Sequence, residues 1–505
     1  MEAPPLVVFA MSSPFVQAVG TCLFAAVLYL LFAVRRSALS RTSLPLPPGP
    51  DDAWYSPGER APIKLAELAD IYGPVVCFRR GKQILCVINR VQAANEILQK
   101  HGAETVDRPR FIAAGEIMAG GMRTLLVGAG DRIRKLRRAL LSQMQPSVAA
   151  QYQPIQMKNA KTYILDVLTD PDSHVAHARR YAASLVMSMT YGKTEPTYFT
   201  DPEVQEMALH GTRFGKVVRI GAHVVDNYPI LRYVPFVTAT LRKWHREELQ
   251  LFNSLVDGVR NKMENHTAQP CFVTYLLERQ QEFGLTDNEL GYLAGSMFGA
   301  GSDTSASAIS FVAMAAAMFP EEADKVREQL DAVVGRDRLP TFEDMKLLPR
   351  VTAFFWETYR WRPVSWGGFA HRAMKDILWN GYVIPKGTAI IGNHWGIRQD
   401  PDAYPEPLKF KHERWLNENG NLRDDMSYCN FGFGRRVCVG QHVANNSLYI
   451  NTALLLWAFN ITENPKAPID TMNFTDTANV RPLPFKAIFE PRMDNLQDII
   501  EAHLG

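Results

Sequence analysis

The chain has 505 residues, of which 47% are hydrophobic and 21% charged, and its formal net charge is +3. That composition is typical of a globular protein and excludes a disordered chain or a repeat array. No run of lysines and arginines is of the kind that binds nucleic acid, so we predict no such partner. At ~150 residues per domain the length favours about three domains. No linker or change of composition follows residue 50, however, so we predict one large folded unit over residues 51–505.

The N-terminal segment is apolar. Residues 15–34 carry no charge, and their number is close to the ~20 residues that a membrane-spanning helix needs. Arg35 and Arg36 follow this run while only Glu2 carries a charged side chain before it, so the positive-inside bias leaves the rest of the chain in the cytosol. A cleaved signal peptide would carry its positive charge before the apolar run. We therefore predict a membrane anchor over residues 1–36.

Prolines and cysteines set two further constraints. Residues 44–50 cannot continue a helix, because proline lacks its N–H and restricts the residue before it. We predict a stiff hinge over residues 37–50.

The six cysteines have no paired spacing, and one of them lies inside the predicted anchor. This pattern predicts no disulfide framework.

The folded unit opens with mixed secondary structure. Residues 63–72 show a helical pattern, whereas residues 75–79 and 84–88 are short β-prone runs. Residues 131–141 predict a basic amphipathic helix whose apolar residues are spaced for one buried face. Residues 150–265 predict further helices.

A central helix is predicted over residues 293–319, which are almost all apolar and small. Such a helix is buried on every side. Asp303 and Thr304 lie in its middle, where a polar pair costs free energy unless it is paired or used. The alternative is that the Thr304 hydroxyl bonds back to a carbonyl of its own helix.

Charged residues at helical spacing follow. Glu357 and Arg360 lie three residues apart beside aromatic neighbours, which favours an interior ion pair that needs further partners. Arg414, in residues 410–415, can supply one. His371 follows on an extended stretch over residues 366–373, and a lone histidine of this kind is usually a satisfied core or surface residue.

The most specific stretch is residues 431–440, Phe-Gly-Phe-Gly-Arg-Arg-Val-Cys-Val-Gly. Its glycines allow the close approach of a flat, bulky group and dihedrals closed to other residues. Arg436 and the N-terminus of a helix predicted over residues 439–457 both favour a thiolate at Cys438. A thiolate in such a loop suits an axial ligand of haem iron.

The pattern of Phe431, Gly434, Arg436, Cys438 and Gly440 resembles the haem-binding signature of the cytochrome P450 family. The order of anchor, proline hinge, Asp-Thr helix and cysteine loop resembles microsomal members of the family over essentially the whole chain, in particular fungal ones. The resemblance implies a mainly α fold with small β-sheets: a single large P450-type domain behind an N-terminal transmembrane helix. The unit predicted above would then be the haem-thiolate catalytic domain.

The resemblance also implies roles for individual residues. Cys438 would bind the iron of haem b. Asp303 and Thr304 would relay protons to dioxygen, because residues 300–305 resemble the oxygen-activation motif of the family. The implied cofactor-binding residues are Arg137, His371, Arg436, Phe431, Gly432, Gly434 and Gly440.

Two segments depart from the family pattern. Family members often carry Trp-x-x-x-Arg where this chain has Ile133 and Arg137, so one contact to a haem propionate is lost. His412 replaces the usual proline of a Pro-Glu-Arg segment, while its arginine is retained. The implied structural frame consists of Glu357, Arg360 and Arg414.

By the same resemblance, the protein would insert one oxygen atom of O2 into a hydrophobic organic substrate: a terpenoid, an aromatic or another secondary metabolite or xenobiotic. Electrons would come from NADPH through NADPH-cytochrome P450 reductase. The protein would be a single-pass protein of the endoplasmic reticulum membrane with its catalytic domain on the cytosolic face. Two alternatives remain: a haem-thiolate isomerase or dehydratase, which needs neither reductase nor proton relay, and a non-catalytic membrane haem-binding protein.

Two surfaces and a set of substrate walls are predicted as well. Residues 228–236, apolar and broken by prolines, would dip into the membrane surface, the alternative being burial in the protein core. Exposed cations would steer an acidic electron donor to a basic docking face. This face would consist of Arg132, Arg134, Lys135, Arg138 and Arg435. By analogy, the mostly apolar substrate walls would come from residues 110–126, 200–240, Phe298, Ala300, 364–369 and 479–484.

Overall fold

The computed structural model describes residues 44–50, 58–81, 83–219, 222–426 and 430–503, together with Thr21 and Ala25. Apart from Thr21 and Ala25, the predicted anchor over residues 1–36 lies outside the described residues, as does the first part of the predicted hinge. Within the described ranges, no helix combines the length and the apolarity that crossing a bilayer requires.

The chain divides into two compact units. The smaller consists of residues 1–46 and 378–383. Its described part consists of residues 44–46 and most of a hairpin. Val383 N of the hairpin donates a hydrogen bond to Pro45 O at 2.9 Å. The larger consists of residues 47–377 and 384–505 and contains every residue of the site described below.

The larger unit is mainly helical, as predicted. Its longer helices are α1 Ala61–Tyr72, α2 Asp131–Leu141, α3 Gln153–Thr169, α4 His174–Tyr191, α5 Pro202–Val217, α6 Pro235–Glu264, α7 Asp287–Met318, α8 Pro320–Val333, α9 Pro349–Trp361 and α10 Gln441–Ala458. Proline occupies the first turn of α5, α6, α8 and α9, where its missing N–H would have no acceptor within the helix. Shorter helical segments include Val91–Ala94, Ile112–Met118, Val224–Asn227, Phe272–Glu278, His394–Arg398, His412–Trp415 and Leu496–Glu501.

Small β-sheets accompany the helices. One contains β1 Val75–Arg80, β2 Gln83–Ile88, β3 His371–Arg372 and β6 Ala389–Gly392, in the order β1-β2-β6-β3. Strands β2 and β6 run parallel, and the other pairs are antiparallel. The extended stretch predicted over residues 366–373 is thus reduced to β3. Two-stranded sheets pair β4 Ile377–Trp379 with β5 Tyr382–Ile384, and β7 Phe459–Glu463 with β8 Ala487–Pro491.

Helix α7 lies in the core because its residues are small. A Cβ at Gly295 would lie 2.3 Å from the ring of Phe252 in α6, and a Cβ at Gly301 would lie 2.7 Å from Val186 in α4. The two glycines therefore let neighbouring helices approach the α7 backbone closely. Residues 306–317 are buried without exception, as the apolar pattern predicts.

One cysteine pair contradicts the prediction of no disulfide. Cys77 of β1 and Cys86 of β2 stand directly opposite each other in the antiparallel register, and their sulfurs are bonded. Side chains opposite each other in such a ladder are neighbours on one face. A separation of nine residues does not reveal that register, which depends on where the hairpin turns.

Candidate active site

The cysteine loop forms a tight turn ahead of α10. Cys438 N donates a hydrogen bond to Phe431 O at 2.9 Å. Gly434 has a φ of +54°, and a Cβ there would lie 2.7 Å from Leu98 O, so only glycine fits this position. Gly432 also has a positive φ, of +85°. The dihedrals predicted for these two glycines are therefore present.

Gly440 differs from Gly432 and Gly434 in its backbone conformation. Its φ is −86°, which any residue adopts, and a Cβ there, as at Gly432, would meet no atom within 4 Å. The prediction that its dihedrals exclude other residues is therefore wrong. The polypeptide leaves open space beside this glycine, which fits a flat group lying against the loop.

Cys438 is exposed, yet the protein around it still affects the ionisation of its thiol. Burial raises the pKa of the thiol, while the N–H of Gly440 and the guanidinium of Arg137 lower it. The N–H of Gly440, at the start of α10, acts in the predicted direction, whereas the cation that lowers this pKa is Arg137 rather than the predicted Arg436, and burial outweighs both. A metal cation would reverse the balance, since a coordinating thiol is deprotonated outright.

Three arginines gather beside this loop. Burial, with Arg436 and Arg137 as like charges, lowers the pKa of Arg108 to about 9. Burial, with Arg137, lowers that of Arg436 to about 10. All three guanidinium groups donate to backbone carbonyls. The contacts are Arg108 to Leu125 O, Phe369 O and Ala370 O at 3.1, 2.9 and 2.7 Å, Arg137 to Val437 O at 3.0 Å, and Arg436 to Val106 O and Val127 O at 2.6 and 2.7 Å.

The cluster of Arg108, Arg137 and Arg436 is incompletely neutralised. Asp107 is the carboxylate that raises the pKa of Arg108 and Arg436. It already accepts hydrogen bonds from Arg372 Nε at 2.7 Å and from a backbone N–H. Buried like charges are costly without counter-ions. The donor set therefore fits a group that carries carboxylates, as haem does on its propionates. Sequence reasoning missed Arg108, because no motif marks it.

His371 joins the cluster from β3. Its Nδ1 lies 2.7 Å from Thr105 O, so this nitrogen carries the hydrogen and donates it. Burial lowers the pKa of His371 to about 3, and Arg108 and Arg436 act in the same direction. A neutral ring then offers only an acceptor at Nε2. The predicted donation to a propionate requires that the carboxylate itself raise this pKa.

A second charged cluster centres on Glu357. Arg360 pairs with it through two N–O distances of 2.8 Å, and both side chains are fully buried. Arg414 Nε and Trp415 Nε1 donate to the same carboxylate at 3.1 and 3.0 Å, as does Lys411 N at 2.9 Å. The remaining donors of Arg360 reach backbone carbonyls. The structure thus brings the three predicted frame residues together, and both arginines pair with the one carboxylate of Glu357.

The middle of α7 is open rather than buried on every side, contrary to the prediction. Ala300 is exposed and residues 301–305 are half-buried, whereas the turns that follow are buried. Thr304 Oγ1 donates to Ala300 O at 2.6 Å, which is the back-bonded arrangement. Asp303 Oδ1 lies 3.3 Å from Arg481 Nη1, and each of these side chains is 43% exposed. Arg481 is a partner that the sequence did not reveal.

A family model described as Cytochrome P450 matches residues 54–489. The chain belongs to the cytochrome P450 family. It is 55% identical to Cytochrome P450 monooxygenase 113 of Postia placenta over 468 residues, which are 92% of this chain and 94% of that protein. It is 53% identical to Cytochrome P450 monooxygenase 64 of the same organism over 493 residues, 97% and 99% of the two chains. Cytochrome P450 monooxygenase claR of Ampulloclitocybe clavipes is 30% identical over 493 residues, 94% and 90% of the two chains.

This P450 is a monooxygenase with a haem-thiolate iron cofactor, and its resemblance to fungal members is confirmed. The mainly helical fold with small sheets and a single P450 domain is confirmed as well. The roles assigned to individual residues remain predictions, which the geometry above now constrains.

The basic helix α2 of the P450 is less available to a partner than predicted. Lys135 and Arg132 share Glu289 at 2.7 and 3.3 Å. Arg138 donates to a backbone carbonyl at 3.3 Å, and Arg134 pairs with a carboxylate in its own helix. Much of the predicted docking charge is therefore engaged within the protein.

Proposed function

We propose that Cys438 of this P450 binds the iron of haem b and that the enzyme inserts one oxygen atom of O2 into a hydrophobic organic substrate. The observation that carries the proposal is the incompletely neutralised cluster of Arg108, Arg137 and Arg436 beside the accessible Cys438 sulfur. When bound, haem supplies the oxidation chemistry, while the protein holds and orients the groups around it.

The residues of the loop and the cluster divide the task of holding the cofactor. Arg108, Arg137 and Arg436 bind the propionates, whose charge offsets the repulsion among the three guanidinium groups. Cys438 would supply the sulfur that binds the iron. Gly440 would let the cofactor lie against the loop, because a Cβ there would meet no protein atom within 4 Å.

Asp303 and Thr304 handle protons beside the open turn of α7. Rotation about χ1 redirects the Thr304 hydroxyl from Ala300 O into that open space. Arg481 holds the Asp303 carboxylate where it is still 43% exposed, so Asp303 can exchange protons with water there, and water would carry them to the Thr304 hydroxyl.

We propose that an apolar cluster lines the chamber in which the substrate binds. The cluster brings together parts of the predicted wall segments that lie far apart in the sequence: Ile112, Ile117, Leu126 and Val217, with Phe369 packed against them. A wall of this kind suits a hydrophobic substrate. Terpenoid, aromatic and other apolar metabolites all suit such a lining.

A cysteine substitution tests the proposal. Cys438→Ser is expected to abolish the thiolate-type red shift of the reduced carbon monoxide complex, and a variant that kept the full shift would overturn the assignment.

NADPH-dependent oxygen uptake by the wild type in the presence of reductase distinguishes a monooxygenase from an isomerase or dehydratase. A screen for compounds that shift the ferric spin state, followed by product analysis, then identifies the substrate.

We also propose that the P450 is a single-pass protein of the endoplasmic reticulum membrane. Tyr228, Ile230, Tyr233 and Phe236 are 63%, 73%, 74% and 84% exposed, so burial in the core is wrong for these residues. Exposed apolar residues concentrated in one segment suit a membrane surface. In liposomes, the tryptophan fluorescence that a Phe236→Trp variant of the full chain adds to that of the wild type should be quenched by lipids brominated on their acyl chains. Absence of quenching would contradict contact at this segment.

NADPH-cytochrome P450 reductase is the proposed electron donor. Arg435 is exposed, and the side chain of Arg134 is 72% exposed despite its ion pair, so both can face an acidic partner. Because exposed charges are screened by salt, reductase-supported turnover should fall as ionic strength rises. Turnover that is insensitive to salt would remove the role of this surface.

A further inference from the structure

A buried charged cluster lies beside the apolar chamber. Glu248 of α6 is 1% exposed. Its Oε1 accepts a hydrogen bond from Arg123 Nη2, and its Oε2 accepts one from Tyr292 Oη of α7 at 3.0 Å. Removing a carboxylate from water costs several kcal/mol unless it is fully bonded. A site of this cost calls for an explanation beyond packing.

His245 extends this cluster to the segment Ile112–Met118. Burial, and then the Glu248 carboxylate, raise the pKa of Tyr292, so its hydroxyl keeps its proton and donates it to Glu248. His245 Nδ1 lies 2.9 Å from Met118 O and 3.0 Å from Tyr292 Oη. Because a carbonyl oxygen only accepts, His245 Nδ1–H is the donor to Met118 O, which also lies 3.2 Å from Tyr292 Oη. We call Arg123, Glu248, Tyr292 and His245 the buried clasp.

The buried clasp joins the elements that surround the chamber. The guanidinium of Arg123 lies over the ring of Phe214, 4.4 Å from its centroid, and Phe214 is in α5. Met118 is a buried member of the apolar cluster, and Phe214 packs against it. The clasp therefore connects the segment Ile112–Met118 with α5, α6 and α7.

The same segment also reaches the arginine cluster. Arg123 stands two residues before Leu125, whose carbonyl accepts from Arg108 at 3.1 Å. Val127 O accepts from Arg436 at 2.7 Å. Residues 123–127 are thus held by Glu248 at one end and by the cofactor-side arginines at the other.

We propose that the buried clasp is a positioning device that sets the shape of the substrate chamber; this rests on the proposed function. Arg123, Glu248 and Tyr292 act through residues 118–127. Removing the charge of Glu248 frees this segment. The chamber then loses its shape, whereas binding at the iron is unchanged.

Two azoles of different size test the proposal on the holoprotein. Imidazole binds haem iron alone, whereas 4-phenylimidazole also places a phenyl ring in the chamber. In Glu248→Gln, 4-phenylimidazole should bind about ten-fold more weakly, as expected for the loss of a charge-assisted hydrogen bond, while imidazole affinity stays within about two-fold. Tyr292→Phe should show the same split to a smaller degree. Glu248→Asp, which keeps the charge, should recover part of the affinity.

A matched control is Asp331→Asn, which removes the partner of Arg492 in an ion pair of 2.7 Å whose arginine is 5% exposed. It should leave both azole affinities unchanged. An equal loss for both azoles, or no loss for either, would overturn the proposal. Should Glu248→Gln fail to fold, Tyr292→Phe carries the same test. Failure of the proposed function is distinct, because the wild type would then show no azole-induced shift of the Soret band.

Discussion

The two charged clusters of this P450 differ in how completely they are neutralised. Around Glu357, a fully buried pair is surrounded by further donors, so each charge has its partners within the chain. Around Arg108, burial lowers the pKa of all three arginines, Arg436 and Arg137 lower that of Arg108 further, and one carboxylate is shared among several donors. A matched cluster stabilises the protein itself, whereas an unmatched one stores free energy that a ligand releases. The difference separates a structural frame from a binding site.

The largest expected effect comes from breaking the matched cluster. Arg360→Ala leaves the buried Glu357 carboxylate without its main counter-ion, which should cost about 3–5 kcal/mol of unfolding free energy. Urea titration of the apoprotein measures this loss. As a control, Asp70→Asn removes the partner of Arg90 in a pair whose aspartate is 74% exposed, and it should cost at most about 1 kcal/mol. An equal effect of the two variants would contradict the comparison.

Breaking the unmatched cluster should act on the cofactor instead. Arg108→Gln should raise the rate of haem transfer to apomyoglobin by about ten-fold or more, since a charge-assisted hydrogen bond is lost. The unfolding free energy of the apoprotein should change little, because relief of repulsion offsets the lost bonds to carbonyls. A loss of apoprotein stability as large as that of Arg360→Ala would show that Arg108 belongs to the frame.

The pH dependence of the apoprotein sharpens the comparison further. The pKa of His371 is lowered from 6.5 to about 3 in the folded state, so the unfolded state takes up the proton first. The stability associated with this group is fully present above pH 6.5 and is lost as the pH falls toward 3, by about 1.4 kcal/mol per pH unit. His371→Asn should flatten the dependence in denaturant titrations between pH 7 and pH 5. An unchanged slope would contradict the buried neutral state.

The smallest effect on the fold is expected on the open side of α7. Thr304→Ala should keep the haem spectrum and the urea midpoint but release more peroxide per NADPH consumed, because protons then arrive without a relay. Ser302→Ala is the control, since Ser302 Oγ also donates to a carbonyl of its own helix, Phe298 O, at 2.9 Å. Tight coupling in Thr304→Ala, or equal uncoupling in both variants, would argue against the relay.

Sequence patterns predicted what depends on local spacing. The apolar periodicity of residues 131–141 marked α2 at its observed bounds, and the three-residue spacing of Glu357 and Arg360 marked the frame. Patterns did not reveal contacts that only the folded chain creates. Arg108 meets Arg436 across more than three hundred residues, and Arg481 reaches Asp303 from a distant turn.

The cysteine loop shows the same limit in a single segment. The glycine pattern predicted special dihedrals for all the glycines of the loop. Only the backbone conformation shows that the loop requires glycine at Gly434 and not at Gly440. The Cys77–Cys86 bond was missed for a related reason, since the spacing of the two cysteines does not predict the strand register that brings them together.

The open space beside Gly440 separates two kinds of selection on this gene. A library sorted only for soluble, folded chains would retain alanine at Gly440 and discard it at Gly434, where a Cβ would lie 2.7 Å from a carbonyl oxygen. Sorted instead by the Soret absorbance of bound haem, the same library would show whether the cofactor lies against Gly440, because alanine there would then be lost as well. Positions that tolerate alanine in the first screen and not in the second would mark the residues that contact the cofactor.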